Sequence, residues 1–116
     1  MAADEHFTPV TDTEALDALF ASSAEHPVIL FKHDPYCPIS ARAHREMERV
    51  AGDVAIIDVA HDDVIKRAVT ERTGIRHESP QVIVLRDGKA AWSASQFRIK
   101  ADDVAKAIGD EVAEKP

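Results

Sequence analysis

Two short, unbroken apolar runs constrain this chain most: VILF at 28–31 and VAIIDV at 54–59. Each is too short for a helix and rich in strand-forming residues, and a strand that is apolar without alternation must be covered on both faces. A segment of helical period follows each run. From Pro38 onward, Ile39, Ala43, Met47 and Val50 recur on one face, Arg42, Arg45, Glu46, Glu48 and Arg49 take the other, and Gly52 ends the pattern. After the second run, Asp62 or Asp63 can cap a helix carrying Val64, Ile65, Ala68 and Val69, closed by Gly74. Strand, helix, strand in this order predicts a parallel crossover.

The remainder reads differently. QVIVL at 81–85 and KAAWSAS at 89–95 flank Asp87-Gly88, a two-residue hairpin signal, so these strands should pair antiparallel. A last helix from about Ala101 should bury Val104, Ala105, Ile108 and Val112. At the front, Thr11 with Glu14 three residues on reads as a capping box, ahead of Leu16, Leu19 and Phe20 on one face of an N-terminal helix. The predicted fold is α/β and thioredoxin-like: a four-stranded mixed sheet flanked by helices on both faces, with an N-terminal helix. The 116 residues suffice for one domain, 1–116, with an ordered core of about 11–113 and loose ends at 1–8 and 114–116.

Composition removes several classes of function. A net charge of −7 opposes binding to a phosphate backbone, so no nucleic-acid partner is expected. No apolar stretch approaches the roughly twenty residues of a membrane helix, and the acidic opening MAADEHFTP is not a signal segment, so the expected address is the cytoplasm. A single cysteine fits a reducing compartment and forbids an intramolecular disulfide.

That cysteine lies in HDPYCPIS at 33–40, where a buried strand gives way to a helix. Pro38 suits the first helical position because its missing N–H would have no partner there, which puts Cys37 near the N-cap. The open N–H groups and the positive end of the helix dipole favour the thiolate over the thiol, and Ser40 is placed to donate a further hydrogen bond to the sulfur. Lys32 and His33, at the strand end, are candidates for positive charge close by. A sulfur of low pKa is also a good leaving group, which a protein needs if one thiol is both to take up and to release a partner. His33 and Cys37 lack the paired spacing of metal ligands, and no metal site is predicted.

Ser79-Pro80 stands directly before the QVIVL strand. A proline there is tolerated only at the strand's first position. Its peptide bond is either trans, merely opening the strand, or cis, which would leave the backbone groups of Ser79 free to pair with an extended ligand.

FKH at 31–33, CPIS at 37–40, GIRHESPQ at 74–81, and the DGK turn with Trp92 beyond it together resemble the monothiol bacilliredoxins of the bacillithiol system, often called YtxJ-like proteins, over about residues 15–108. The resemblance implies a thioredoxin-like fold, a cis Pro80 facing Cys37, and removal of bacillithiol from mixed disulfides on client proteins, with Cys37 as the attacking thiol. Bacillithiol is then a co-substrate, with no tightly bound cofactor. On this reading Ser79 and Pro80 position the ligand backbone, and Arg76 or His77 is expected to meet the carboxylates of the small thiol. Tyr36 departs from the small residue or threonine that usually precedes the cysteine, so the resemblance assigns it no role. The alternative is a carrier in which Cys37 from two chains and two small thiols hold an iron-sulfur cluster, against which Pro38 stands where such carriers place glycine.

Overall fold

The computed structural model of the chain describes residues 6–110. Five strands form one sheet: β1 (Phe7–Pro9), β2 (Val28–His33), β3 (Val54–Asp58), β4 (Gln81–Arg86) and β5 (Lys89–Ser95), in the order β1-β3-β2-β4-β5. β3 pairs parallel with both β1 and β2, whereas β4 pairs antiparallel with β2 and with β5. The helices are α1 (Thr13–Ser22), α2 (Pro38–Glu48), α3 (Asp63–Thr73) and α4 (Ala101–Ala105), the last continuing into a wider turn over Lys106–Asp110.

Alternation along the central strands sends neighbouring side chains to opposite faces, which is why the unbroken runs need two covers. Val28, Leu30, Ile83 and Leu85 meet Leu16 and Phe20 of α1 and Ile65 and Val69 of α3. Ile29, Phe31, Val82 and Val84 meet Ala43 and Met47 of α2 and Val104 of α4. Ala105 and Ile108 are half-buried, and Ile108 packs against this second cluster; Val112 lies outside the described residues.

The N-terminal expectation is corrected in two respects. A fifth strand precedes α1, so the segment before Thr8 is not loose from residue 6 onward. His6 Nε2 donates to the Met47 carbonyl at 2.7 Å, and the Phe7 ring stacks on His44 at 4.4 Å. The cap of α1 is Asp12, not Thr11: its carboxylate accepts from the Ala15 N–H at 2.7 Å.

Other local signals act where expected. Asp62 caps α3 by accepting from Ile65 N–H, and Gly74 closes the helix at φ 73°. At the hairpin, Asp87 (φ 54°) and Gly88 (φ 75°) are both left-handed, as a two-residue turn matched to strand twist requires. Buried Ser23 fastens that turn to the end of α1, its carbonyl accepting from Asp87 N–H and its hydroxyl from Gly88 N–H, both at 2.8 Å. Glu46 of α2 accepts from Ala101 N–H at 2.8 Å and so anchors the start of α4.

Candidate active site

β2 and β3 run parallel and finish at one end of the sheet, and β4, antiparallel to β2 with Lys32 opposite Gln81, begins there. The connections at 34–37, 59–62 and 74–80 therefore gather at that end. Cys37 sits among them as the extended N-cap of α2 (φ −110°, ψ 124°), with Pro38 at the first helical position, and is half-buried.

The residues before the thiol build a tight turn. Cys37 N–H donates to the Asp34 carbonyl at 3.1 Å, and Tyr36 N–H donates to the Asp34 carboxylate at 2.9 Å. Pro35 supplies the fixed φ suited to the second position of such a turn, and aspartate is favoured at the first because its side chain accepts from the backbone two residues on. The sulfur takes no capping bond from the first helical turn. The amides of Ile39 and Ser40 have no hydrogen-bond partner among the described residues and remain open donors beside it.

Ser40 does something other than expected. Fully buried, its oxygen accepts from Asp34 N–H at 2.9 Å and lies 2.9 Å from His33 Nδ1. His33 Nδ1 and the Asp34 amide share the Ser40 oxygen, and no bond from Ser40 to the Cys37 sulfur forms among the described residues. Ser40 thus pins the Asp34 turn onto α2. Burial, aided by neighbouring His44, pushes His33 below the ordinary imidazole range against the opposing pull of Asp58 and Asp34, which favours the neutral ring.

Lys32, a candidate for positive charge near the thiol, is 0% exposed. Its ammonium donates to Gln81 Oε1 at 2.8 Å, and burial, with Lys66 adding repulsion and Glu78 opposing, lowers its pKa to about 8. Gln81, also buried, passes the connection on, its Nε2 donating to the Arg76 carbonyl at 3.2 Å and lying 3.4 Å from Ser95 Oγ. Lys32 and Gln81 therefore support the 74–80 loop from beneath instead of facing solvent.

Within that loop Arg76 is exposed and His77 and Ser79 are half-buried. The Ser79-Pro80 peptide is cis. The Pro80 carbonyl is taken by Gln96 N–H at 2.9 Å, but the backbone N–H and C=O of Ser79 have no partner among the described residues. His77 Nδ1 and Ser79 Oγ are buried atoms likewise without one. Two buried polar atoms without a partner on two residues of one loop are more than native structures usually leave without reason.

Sequence reasoning missed Asp34, Gln81 and a third group formed by Tyr36, His61 and Asp58. Tyr36 Oη lies 3.0 Å from His61 Nε2, and His61 Nδ1 lies 2.8 Å from Asp58. Burial would raise the Asp58 carboxyl, but the hydrogen bonds from the His61 ring and the Ala60 and His61 amides prevail and hold it below the usual range. The DP turn signal could have indicated Asp34; nothing local links positions 36, 58 and 61.

A cavity of about 360 Å³ lined by Thr8, Leu19, Pro27, Val28, Gly52 and Ile108 opens at the opposite end of the sheet, while the thiol end has a depression of about 240 Å³ beside His33, Pro35 and Asp58. Among the described residues no group of three His, Cys, Asp or Glu side chains could hold a metal ion, and no helix is long and apolar enough to cross a membrane.

A crossover sheet with one accessible cysteine at the start of its second helix and a cis-proline loop at the same end defines a thioredoxin-fold protein of monothiol type. The solved structures it is similar to share that fold. A thioredoxin-fold structure described as a candidate oxidoreductase matches with TM-score 0.83 at 20% identity, over 92% of this chain and 97% of that one. Thioredoxin from Trypanosoma brucei brucei matches with TM-score 0.73 at 15% identity, over 95% and 94%, and a thioredoxin mutant from Halobacterium salinarum with 0.68 at 18%, over 90% and 88%. The family model for monothiol bacilliredoxin BrxC matches residues 8–104, and the chain belongs to that family.

Proposed function

We propose that the protein removes bacillithiol, or a closely similar small thiol, from mixed disulfides on client proteins in a reducing cytoplasm. The Cys37 thiolate attacks the small thiol's sulfur in the client's disulfide. That S–S bond breaks, the client leaves as a thiolate that takes up a proton, and the small thiol remains joined to Cys37 by a new disulfide. With no second cysteine, resolution falls to a free small thiol, whose thiolate attacks the adduct, releases Cys37 and leaves as the symmetric small-thiol disulfide. The sequence is two thiol-disulfide exchanges: the client's mixed disulfide is replaced by the symmetric small-thiol disulfide at the expense of one free small thiol, so the balance closes without a metal or bound cofactor.

The observation that carries this reading is the pairing of a lone accessible thiol with unpaired polar groups across one sheet end. The open amides of Ile39 and Ser40 face developing negative charge on sulfur. Ser79 offers a donor and an acceptor to the extended backbone of a bound thiol, His77 Nδ1 offers a further polar contact, and exposed Arg76 can meet a carboxylate. The open, shallow setting suits a disulfide carried on a protein surface.

Incubation with bacillithiol disulfide and, separately, with glutathione disulfide tests this by intact mass. The wild type should gain one small-thiol adduct, faster from bacillithiol disulfide, and Cys37→Ser none. Absence of adduct from both disulfides would remove the redox reading, and a preference for glutathione would reassign the small thiol.

A further inference from the structure

Tyr36 is 74% exposed, yet it is held at three points. Its amide donates to Asp34, its ring meets the His61 imidazole edge-on at 5.4 Å and 73°, and its hydroxyl lies 3.0 Å from His61 Nε2. His61 is itself aimed by Asp58, whose carboxylate lies 2.8 Å from Nδ1 and accepts from the amides of Ala60 and His61 at 3.0 and 3.2 Å. An ionised carboxylate can only accept, so Nδ1 carries a proton, and in the neutral ring Nε2 then accepts the tyrosine O–H.

A solvent-facing phenol needs no protein partner, because water satisfies it, and fixing an exposed side chain costs conformational entropy. Here that entropy is spent before any partner arrives, and the side chain stays largely exposed one residue ahead of the nucleophile. Rigid, preorganised tyrosines of this kind contribute contact area to a polypeptide at low cost. On the thiol-exchange reading, a small thiol bonded to Cys37 would take its polar contacts from the helix amides and Ser79 and would not need the ring. A protein client must bring the chain on either side of its modified cysteine past it.

We propose that Tyr36 is a specificity-determining residue for disulfides carried on a polypeptide, contacting the client segment beside the modified cysteine, with His61 and Asp58 as positioning residues that hold its ring. The inference rests on the thiol-exchange reading above.

The test compares second-order rate constants for reaction of Cys37 with two substrates: a single-cysteine protein carrying bacillithiol, and symmetric bacillithiol disulfide. Tyr36→Ala should slow reaction with the protein substrate about tenfold and leave the small disulfide unchanged. Tyr36→Phe and His61→Ala should each slow the protein substrate by about threefold, and the double variant should be no slower than either, because both remove the same bond. Equal slowing on both substrates would overturn the proposal by showing that Tyr36 shapes the Cys37 turn, and an unchanged rate with the protein substrate would overturn it outright. Wild type inert toward both would instead sink the thiol-exchange reading, and this inference with it.

Discussion

Replacing Lys32 by methionine should stabilise the protein near neutral pH and remove a pH dependence above it. Methionine keeps most of the stem and deletes an ammonium that is fully buried, donates only to the amide oxygen of Gln81, and lies within 4 Å of no carboxylate among the described residues. With the folded pKa lowered from 10.5 to about 8, holding the charge inside at pH 7 costs about 3 kcal/mol relative to the unfolded chain. Against this, Gln81 Oε1 loses its donor, a cost of about 1–3 kcal/mol. The sharper signature is the pH dependence. Between pH 8 and 10.5 the unfolded chain holds a proton on Lys32 that the folded chain has released, so wild-type stability rises with pH through this window. From pH 7 to pH 9 the wild type should gain on Lys32→Met by about 1 kcal/mol, groups common to both proteins cancelling in the difference. Urea unfolding of the pair at pH 7, 8 and 9 measures this. A gap that stays constant across the range would show that Lys32 keeps its proton in the folded state, and would refute the argument from burial.

Three further substitutions probe the scaffold of the site. Ser40→Ala removes the acceptor for Asp34 N–H and the partner of His33, and should cost about 1–2 kcal/mol, seen as a melting temperature lower by roughly 5–10 °C. Gly88→Ala meets no neighbouring atom but must hold φ 75°, so it should cost about 1 kcal/mol of thermal stability from the backbone alone. Because His33 is pushed below its ordinary value of 6.5, the folded state binds fewer protons than the unfolded one as pH falls through that value. Stability should therefore decline on acidification below about pH 6.5, and less steeply in His33→Gln, as read by denaturant midpoints at pH 7 and 5.

The sheet and its helical covers were legible because their causes are local. Unbroken apolar runs, the Asp62 cap, Gly74 and the Asp87-Gly88 turn each act within a few residues, and Pro38 after Cys37 marks a helix start wherever it falls. β1 escaped because three residues, two of them exposed, carry no periodicity; its existence depends on pairing with β3 far along the chain. Thr11 and Asp12 are both good caps, and only the backbone at Asp12 decides between them. Lys32 misled because lysine at a strand end normally reaches water, although its alternation with Val28 and Leu30 on the face covered by α1 and α3 was a usable sign of burial. Ser40 and the Tyr36, His61 and Asp58 chain are long-range arrangements, set by which turns the fold brings to one end of the sheet.

On the proposed function, Cys37 takes the small thiol from a protein and holds it. Intact mass after mixing equimolar protein with a bacillithiol-modified client tests this directly. The predicted result is one bacillithiol adduct on Cys37 for each client thiol freed, with no adduct in Cys37→Ser. A wild-type protein left unmodified, or joined by disulfide to the client itself as the lasting product, would contradict it.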